Sequence, residues 1–575
     1  MESPNHRSTC VAILALLLVF LFGTCAALPC LAAAEEPHAP PDSVRAEIEQ
    51  LRSQIRLLEA RMEALSQQRT SPAAEKPVPA ETPLMVESVP GRGQTDTSLY
   101  YGLSAGSPEK RYGRGVFGDM VKIGGYGSFR YEANNIDKAP QVGDLPRAQR
   151  SANGFDFRRF VLTTDISPND RLRIYSEIEY ERFSKLELAR TAIPENLGSP
   201  GRPRAGTRFI QETEGRGELG IEQAWAQYNV ARDVGIRVGV VLPPVGRLNT
   251  LHDDDYWDLP RRTLVDRGAS VLPIPAAWRE LGAGLVGKHA LGAGFINYQF
   301  YVVNGVTLDF SHEVTAGLRS GRGLLAVEPE IHFDNGPFNG SQSTRAVTWR
   351  LGLSPKLGSE IALSGYHGRY TPSYLNLNTG LNSVALDGKF TYRRFEAEGE
   401  FIYSDYGRMR GVVGAIARQL VTSTVETLGS ETRELETEVE LEASGPLTNQ
   451  RYGFWLDLKY RFWPEFLNRT FLGRGFENPQ LIPIFRYDRV WFNGLVTDFR
   501  FKDRAITRLD SENLSQDRIT TGLSYRPISS VVVTAAYEHN HRRQGSTLIF
   551  PRSIGLGRLP DRSYDSLVLG MSFGF

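Results

Sequence analysis

From about residue 119 to Phe575, apolar and polar residues alternate in segments of about ten. In the first, Val121, Ile123, Phe129 and Tyr131 share one face, and Lys122, Ser128, Arg130 and Glu132 the other. A later segment sets Leu172, Ile174, Ile178 and Tyr180 against Arg171, Arg173, Glu177, Glu179 and Glu181. Near residue 455, Tyr452, Phe454, Leu456, Leu458, Tyr460 and Phe462 oppose Arg451, Asp457, Lys459 and Arg461. Successive side chains of a strand point to opposite sides, so this period predicts strands with one apolar and one charged face.

Short connections, at 167–170, 231–234, 287–290, 355–358 and 527–530, alternate with long ones at 184–216, 247–279, 305–344, 406–449 and 542–563. Tight turns on one side and extended loops on the other are the habit of membrane barrels. A soluble sandwich would hide its apolar faces against each other and solvate the outer ones. Here the polar face carries dense Arg and Glu, which suits a water-filled lumen, and an open sheet edge in hydrocarbon would leave backbone groups unsatisfied. The fold predicted is all-β, a transmembrane antiparallel barrel of about sixteen strands. Tyr126, Tyr180, Tyr460 and Phe573, near segment ends, are expected in interfacial girdles. An even strand count puts both ends of the barrel on one side, so whatever precedes the first strand is periplasmic.

Residues 1–34 read as a secretory signal, with Arg7, an apolar run from Val11 to Phe22 and small residues at Ala32, Ala33 and Ala34. All three cysteines (Cys10, Cys25 and Cys30) fall inside it, and acylation of Cys25 or Cys30 is the alternative. Over 43–67, Val44, Ile48, Leu51, Ile55, Leu58, Met62 and Leu65 are spaced alternately four and three, which predicts a short periplasmic α-helical coiled coil, with a lone amphipathic helix as the alternative. The stretch 68–118, rich in Pro, Gly, Ser and Thr, reads as a flexible linker. Lys+Arg and Asp+Glu are equal at 66 each, which weakens any duplex nucleic-acid reading.

The last alternating residues, Leu567, Leu569, Met571, Phe573 and Phe575 in "LVLGMSFGF", resemble the C-terminal signal of Gram-negative outer-membrane proteins. Further pieces, "FDFRRFVLTTDISPNDRLRIYSEIEYE", "IEQAWAQYNV", "VGIRVGVVLPPVGRLN" and "LIPIFRYDRV", resemble the phosphate-selective porin O and P family. That resemblance implies a trimeric, passive outer-membrane channel of sixteen strands with a long loop folded into the lumen. Its implied partners are outer-membrane lipids and small hydrophilic or anionic solutes, with no cofactor.

The link Gly246 to Arg279 is the candidate constriction. In "HDDDYWDLPRRTLVDR", His252, Asp253, Asp254, Asp255 and Asp258 sit beside Arg261, Arg262 and Arg267. Acid and base together create a transverse field in a pore, or pair locally and pin the loop. The spacing matches neither an EF-hand nor a His-rich zinc motif, so no metal is assigned. Alternation turns Lys122, Arg130, Arg171, Arg173, Arg237, Arg350, Lys459 and Arg461 to the lumen, together with Glu177, Glu179 and Asp457. Arg outnumbers Lys roughly five to one, and its planar fork suits phosphate and carboxylate, so a modest anion preference is expected. No HExxH or Walker loop is present, which argues against an enzyme, and His539 and His541 read as loop-proximal polar residues. A structural or assembly barrel bridging to the periplasm is the competing expectation.

Overall fold

The alternation closes on itself. In a computed structural model, sixteen antiparallel strands form one ring. They are β1 (Val121–Asn134), β2 (Gly154–Asn169), β3 (Leu172–Glu181), β4 (Glu218–Ala231), β5 (Val234–Val241), β6 (Glu280–Leu291), β7 (Gly294–Val303), β8 (Ala346–Lys356), β9 (Ser359–Arg369), β10 (Gly380–Tyr392), β11 (Phe395–Asp405), β12 (Gln450–Tyr460), β13 (Gln480–Lys502), β14 (Ala505–Ile528), β15 (Val531–Gln544) and β16 (Ser563–Gly574). The structure describes residues 114–575 except 116–119, 136–153, 182–183, 193–204, 214–217, 267–269, 293, 320–321, 336–343, 357, 429–438, 443–446, 503–504, 550–555 and 559–561. The signal, the coiled-coil seam and most of the linker lie outside the described residues.

Each strand pairs with its neighbour in the ring, and β16 returns to β1 from Tyr126↔Gly574 to Asn134↔Ser566. Phe575 completes the seam by exchanging backbone hydrogen bonds with Gly125. Arg114–Gly115, at the end of the stretch read as linker, also pairs with β1. Two hairpins, Ser184–Ala192 with Ala205–Thr213 and Val306–Arg319 with Arg322–Asn335, and a helix, Met409–Leu428, occupy long links.

Every one of the sixteen strands holds a large apolar side chain at 40% exposure or more, from Phe129 on β1 through Leu285 and Leu456 to Leu569 on β16. A continuous apolar belt of this extent has no counterpart on soluble monomers and is a lipid-facing surface. The strands close completely, so no edge is presented to hydrocarbon. The chain is therefore a transmembrane β-barrel of the Gram-negative outer-membrane type.

Two details differ from expectation. Tyr126 is wholly buried in the lumen and not in a girdle, because it shares the period of Ser128 and Arg130. The turn expected at 287–290 falls between Leu291 and Gly294, where Gly292 supplies the left-handed φ of 59°.

Candidate functional site

The link between β5 and β6 turns into the barrel. Described residues from Leu242 to Trp278 are buried or half-buried, with Trp278 and Thr263 wholly inaccessible. Positive φ at Gly246 (74°) starts the descent, and a Cβ there would lie 2.9 Å from the Glu400 carboxylate. The absence of that Cβ lets the amides of Arg247 and Leu248 donate to Glu400 Oε2.

From there the segment is held wall to wall. Arg247, 1% exposed, donates to Glu398 (2.5 Å) on β11 and Glu360 (3.0 Å) on β9. Across the lumen, Arg261 pairs with Glu132 of β1 (3.0 Å) and Glu538 of β15 (2.8 Å). Ser128 of β1 donates to Asp254 (2.8 Å), which also lies 3.9 Å from Arg159 of β2. Deepest is Asp258, met by Arg526 (2.6 Å), Arg461 (3.1 Å) and Lys459 (3.4 Å), all near the short-turn ends of their strands or just beyond them. Burial would raise the Asp258 carboxyl, but Arg526, Arg461 and Lys459 hold it well below the usual carboxylate range. The returning arm is bound through its backbone: Arg486, Arg518 and Arg451 donate to the carbonyls of Arg261 (2.9 Å), Arg262 (2.6 Å) and Ser270 (2.6 Å). Arg262 ties the two arms by donating to the carbonyls of His252 and Ala276, both at 2.5 Å. Trp257 meets Trp455 edge to face at 5.5 Å, and Trp278 packs on Tyr366 at 4.7 Å.

His252 Nε2 lies 3.1 Å from Glu222 on β4, with Nδ1 on the Asn249 carbonyl at 3.2 Å. Glu177 joins this group, whose ligand atoms lie within 4.8 Å of one another. Both ring nitrogens are engaged, so a buried imidazolium–carboxylate pair accounts for the cluster. Burial would depress the imidazole, but Glu222, Asp253 and Glu177 outweigh it and lift His252 to about 9. A raised pKa contributes stability that is complete below the free imidazole value and lost as pH rises through about 9. Conductance of the wild-type barrel in planar bilayers is expected to rise over that alkaline window and to stay flat in His252→Gln. A flat wild-type profile rejects His252 as a fastening of the segment.

Of the residues singled out from sequence, His252, Asp253, Asp254, Asp255, Asp258, Arg261 and Arg262 all lie within the inserted segment, and Arg267 is outside the described residues. Among the wall residues, Arg350 is bidentate with Asp387 (2.6 and 2.7 Å) and Asp457 with Arg486 (2.5 and 2.7 Å). Arg173 bonds Asp165, Glu179 pairs with Arg159, and Arg130 with Glu132. Arg237 bonds Gln227 over the Trp225 ring, and Lys459 lies between Glu396 and Glu398. Lys122 is half-buried, and Arg171 is a correction: it is exposed in the β2–β3 turn beside the outward Tyr228, because Asn169 caps that turn through the amides of Arg171 and Leu172. The wall expected to be hydrated is thus largely buried, its charges paired with one another and, where the segment lies against it, with Asp254, Asp258 and Arg261 of the segment. Arg247, Glu222, Glu360, Glu398, Glu400, Arg518, Arg526 and Glu538 were not singled out. For the Glu396, Glu398, Glu400 run, period two was signal enough. His539 and His541 lie on the outward face of β15, with His539 bonded to Asp565 at 2.7 Å.

The architecture is that of a closed sixteen-stranded outer-membrane barrel with a long segment folded into its lumen. No protein-family model matches the chain. An uncharacterized protein of Aquifex aeolicus (strain VF5) is 30% identical over 186 residues, so the match spans 32% of each protein. Among solved structures, the anion-selective porin from Comamonas acidovorans covers 79% of this chain and 99% of its own, at 10% identity and a TM-score of 0.41. OmpF of Salmonella typhi, in complex with daunomycin, gives 11% and 0.40 over 79% of this chain and 97% of its own. The outer-membrane channel DcaP of Acinetobacter baumannii gives 10% and 0.36 over the same shares.

Proposed function

We propose that this barrel is an outer-membrane channel for passive diffusion of small hydrophilic solutes, narrowed by the segment between Leu242 and Arg279. The observation that carries the reading is the polar, multiply paired seat of that segment across a lumen enclosed by lipid-facing strands. Preference between ions is modest. Among the described residues the buried charged side chains number fifteen Arg and Lys against eighteen Asp and Glu, a near balance that favours no strong selection of either sign. An inclination towards phosphate or carboxylates rests on the excess of Arg, whose guanidinium binds oxyanions bidentately. The functional unit is a homotrimer assisted by the 43–67 seam.

Single-channel recording in a salt gradient tests this. Stepwise conductance with a small reversal potential of anion-selective sign is expected, and competition with phosphate and dicarboxylates should lower it. Correctly folded, heat-modifiable barrels that never conduct would overturn the reading. They would favour the second one, a structural or assembly barrel bridging to the periplasm, which the wall-to-wall filling of the lumen supports.

A further inference from the structure

The face of the barrel that carries the short turns has one exception. Six of its seven connections span two residues, whereas β12 and β13 are joined by 461–479. Within that link Phe466 is 73% exposed and Phe471 85%, more than any other large apolar side chain among the described residues outside the sixteen strands. The link does not hang free. Trp463 stacks on Tyr525 at 6.1 Å and 23°, and the Tyr525 hydroxyl donates to the Leu472 carbonyl. Tyr525 shares the outward period of Ile519 and Leu523, so the link folds over the outside of the barrel wall at its rim.

We propose that 461–479 is an interfacial anchor, seating Phe466 and Phe471 among the phospholipid headgroups and upper acyl chains of the leaflet on the short-turn side. The proposal rests on the transmembrane reading of the barrel. Three observations converge on lipid as the occupant. First, the link is continuous with the lipid-facing belt through Tyr525 and through Tyr460, which stacks on Phe462 at 5.8 Å. Second, its backbone bonds itself in consecutive turns, Leu467 to Pro464, Thr470 to Leu467, Gly473 to Thr470 and Phe476 to Gly473, which lowers the penalty of leaving water. Third, exposed Arg469 and Arg474 flank Phe471 where lipid phosphates would lie. A second copy of the chain is a poorer occupant. The exposed parts of Phe466, Phe471 and Phe476 amount to only on the order of 400 Å², against about 800 Å² per partner in a stable interface.

Nitroxide labels at Phe466→Cys and Phe471→Cys, read by power-saturation EPR in phosphatidylethanolamine–phosphatidylglycerol vesicles, test this. A Leu458→Cys label on the belt serves as reference, and the unsubstituted chain, whose cysteines all precede residue 31, as background. Labels at 466 and 471 are expected to meet oxygen more than a water-soluble nickel complex, at a depth shallower than 458. Aqueous labels at 466 and 471 beside a lipid-exposed 458 would overturn the anchor and leave the barrel intact. An aqueous 458 would overturn the transmembrane reading itself. Dipolar broadening between copies at 471 would assign the surface to a protein contact instead. In the unlabelled Phe466→Asp/Phe471→Asp variant, the folded fraction reaching bilayers should fall several-fold while conductance per inserted channel stays unchanged; unchanged insertion would also overturn the anchor.

Discussion

Barrels in which residues 247–277 are replaced by a short glycine–serine bridge are expected to conduct at least about threefold more than wild type in planar bilayers, because a sixteen-stranded ring without a filled interior leaves an aqueous channel. The replacement also removes the partners of many wall charges. Arg486, Arg518 and Glu538 would face water, where their hydration replaces the lost bonds, so the ring itself should still close. Heat-modifiable migration on gels checks closure independently of conductance. Closed rings with unchanged conductance would reject the segment as the narrowing element.

The second large effect is expected at Asp258. Asp258→Asn preserves shape but removes the one carboxylate that faces Arg526, Arg461 and Lys459 together. Breaking a buried pair from one side leaves uncompensated charge, at a cost of about 3–5 kcal/mol. The seat should loosen, raising open-channel noise and exposing 246–279 to protease in folded barrels. Replacing Arg461, the more exposed partner at 19%, should have a much smaller effect, since Lys459 and Arg526 remain. Equal protease resistance in wild type and Asp258→Asn would show that the hub does not hold the segment. Because the Asp258 carboxyl is held far below its ordinary value, this fastening persists through mild acid, whereas the His252 contact fails only in alkali.

The ring was legible in the sequence because a strand repeats every two residues, so Arg451, Trp455, Asp457 and Lys459 declare their side locally. The same rule places Tyr126 inside with Ser128, although its ring suggests a girdle. The seat of the segment was less legible. Arg247 finds Glu398 across 151 positions and Arg526 finds Asp258 across 268, and no local period reports such pairings. The charges of 252–262 could be recognised as a cluster, but whether they face water or the wall depends on how far the segment descends. The 461–479 link was missed because Pro464 and Gly473 resemble ordinary turn chemistry.

The seam between β1 and β16 brings Asn135 to Asp565, 430 positions apart. Joining ends that remote costs about 3 kcal/mol more chain entropy than closing a ten-residue hairpin. Neither strand can satisfy its free backbone edge until the other arrives. Biogenesis must therefore shelter a half-built sheet, with both margins unsaturated, until the circle is joined, and a lesion anywhere along the seam should strand the polypeptide at that stage.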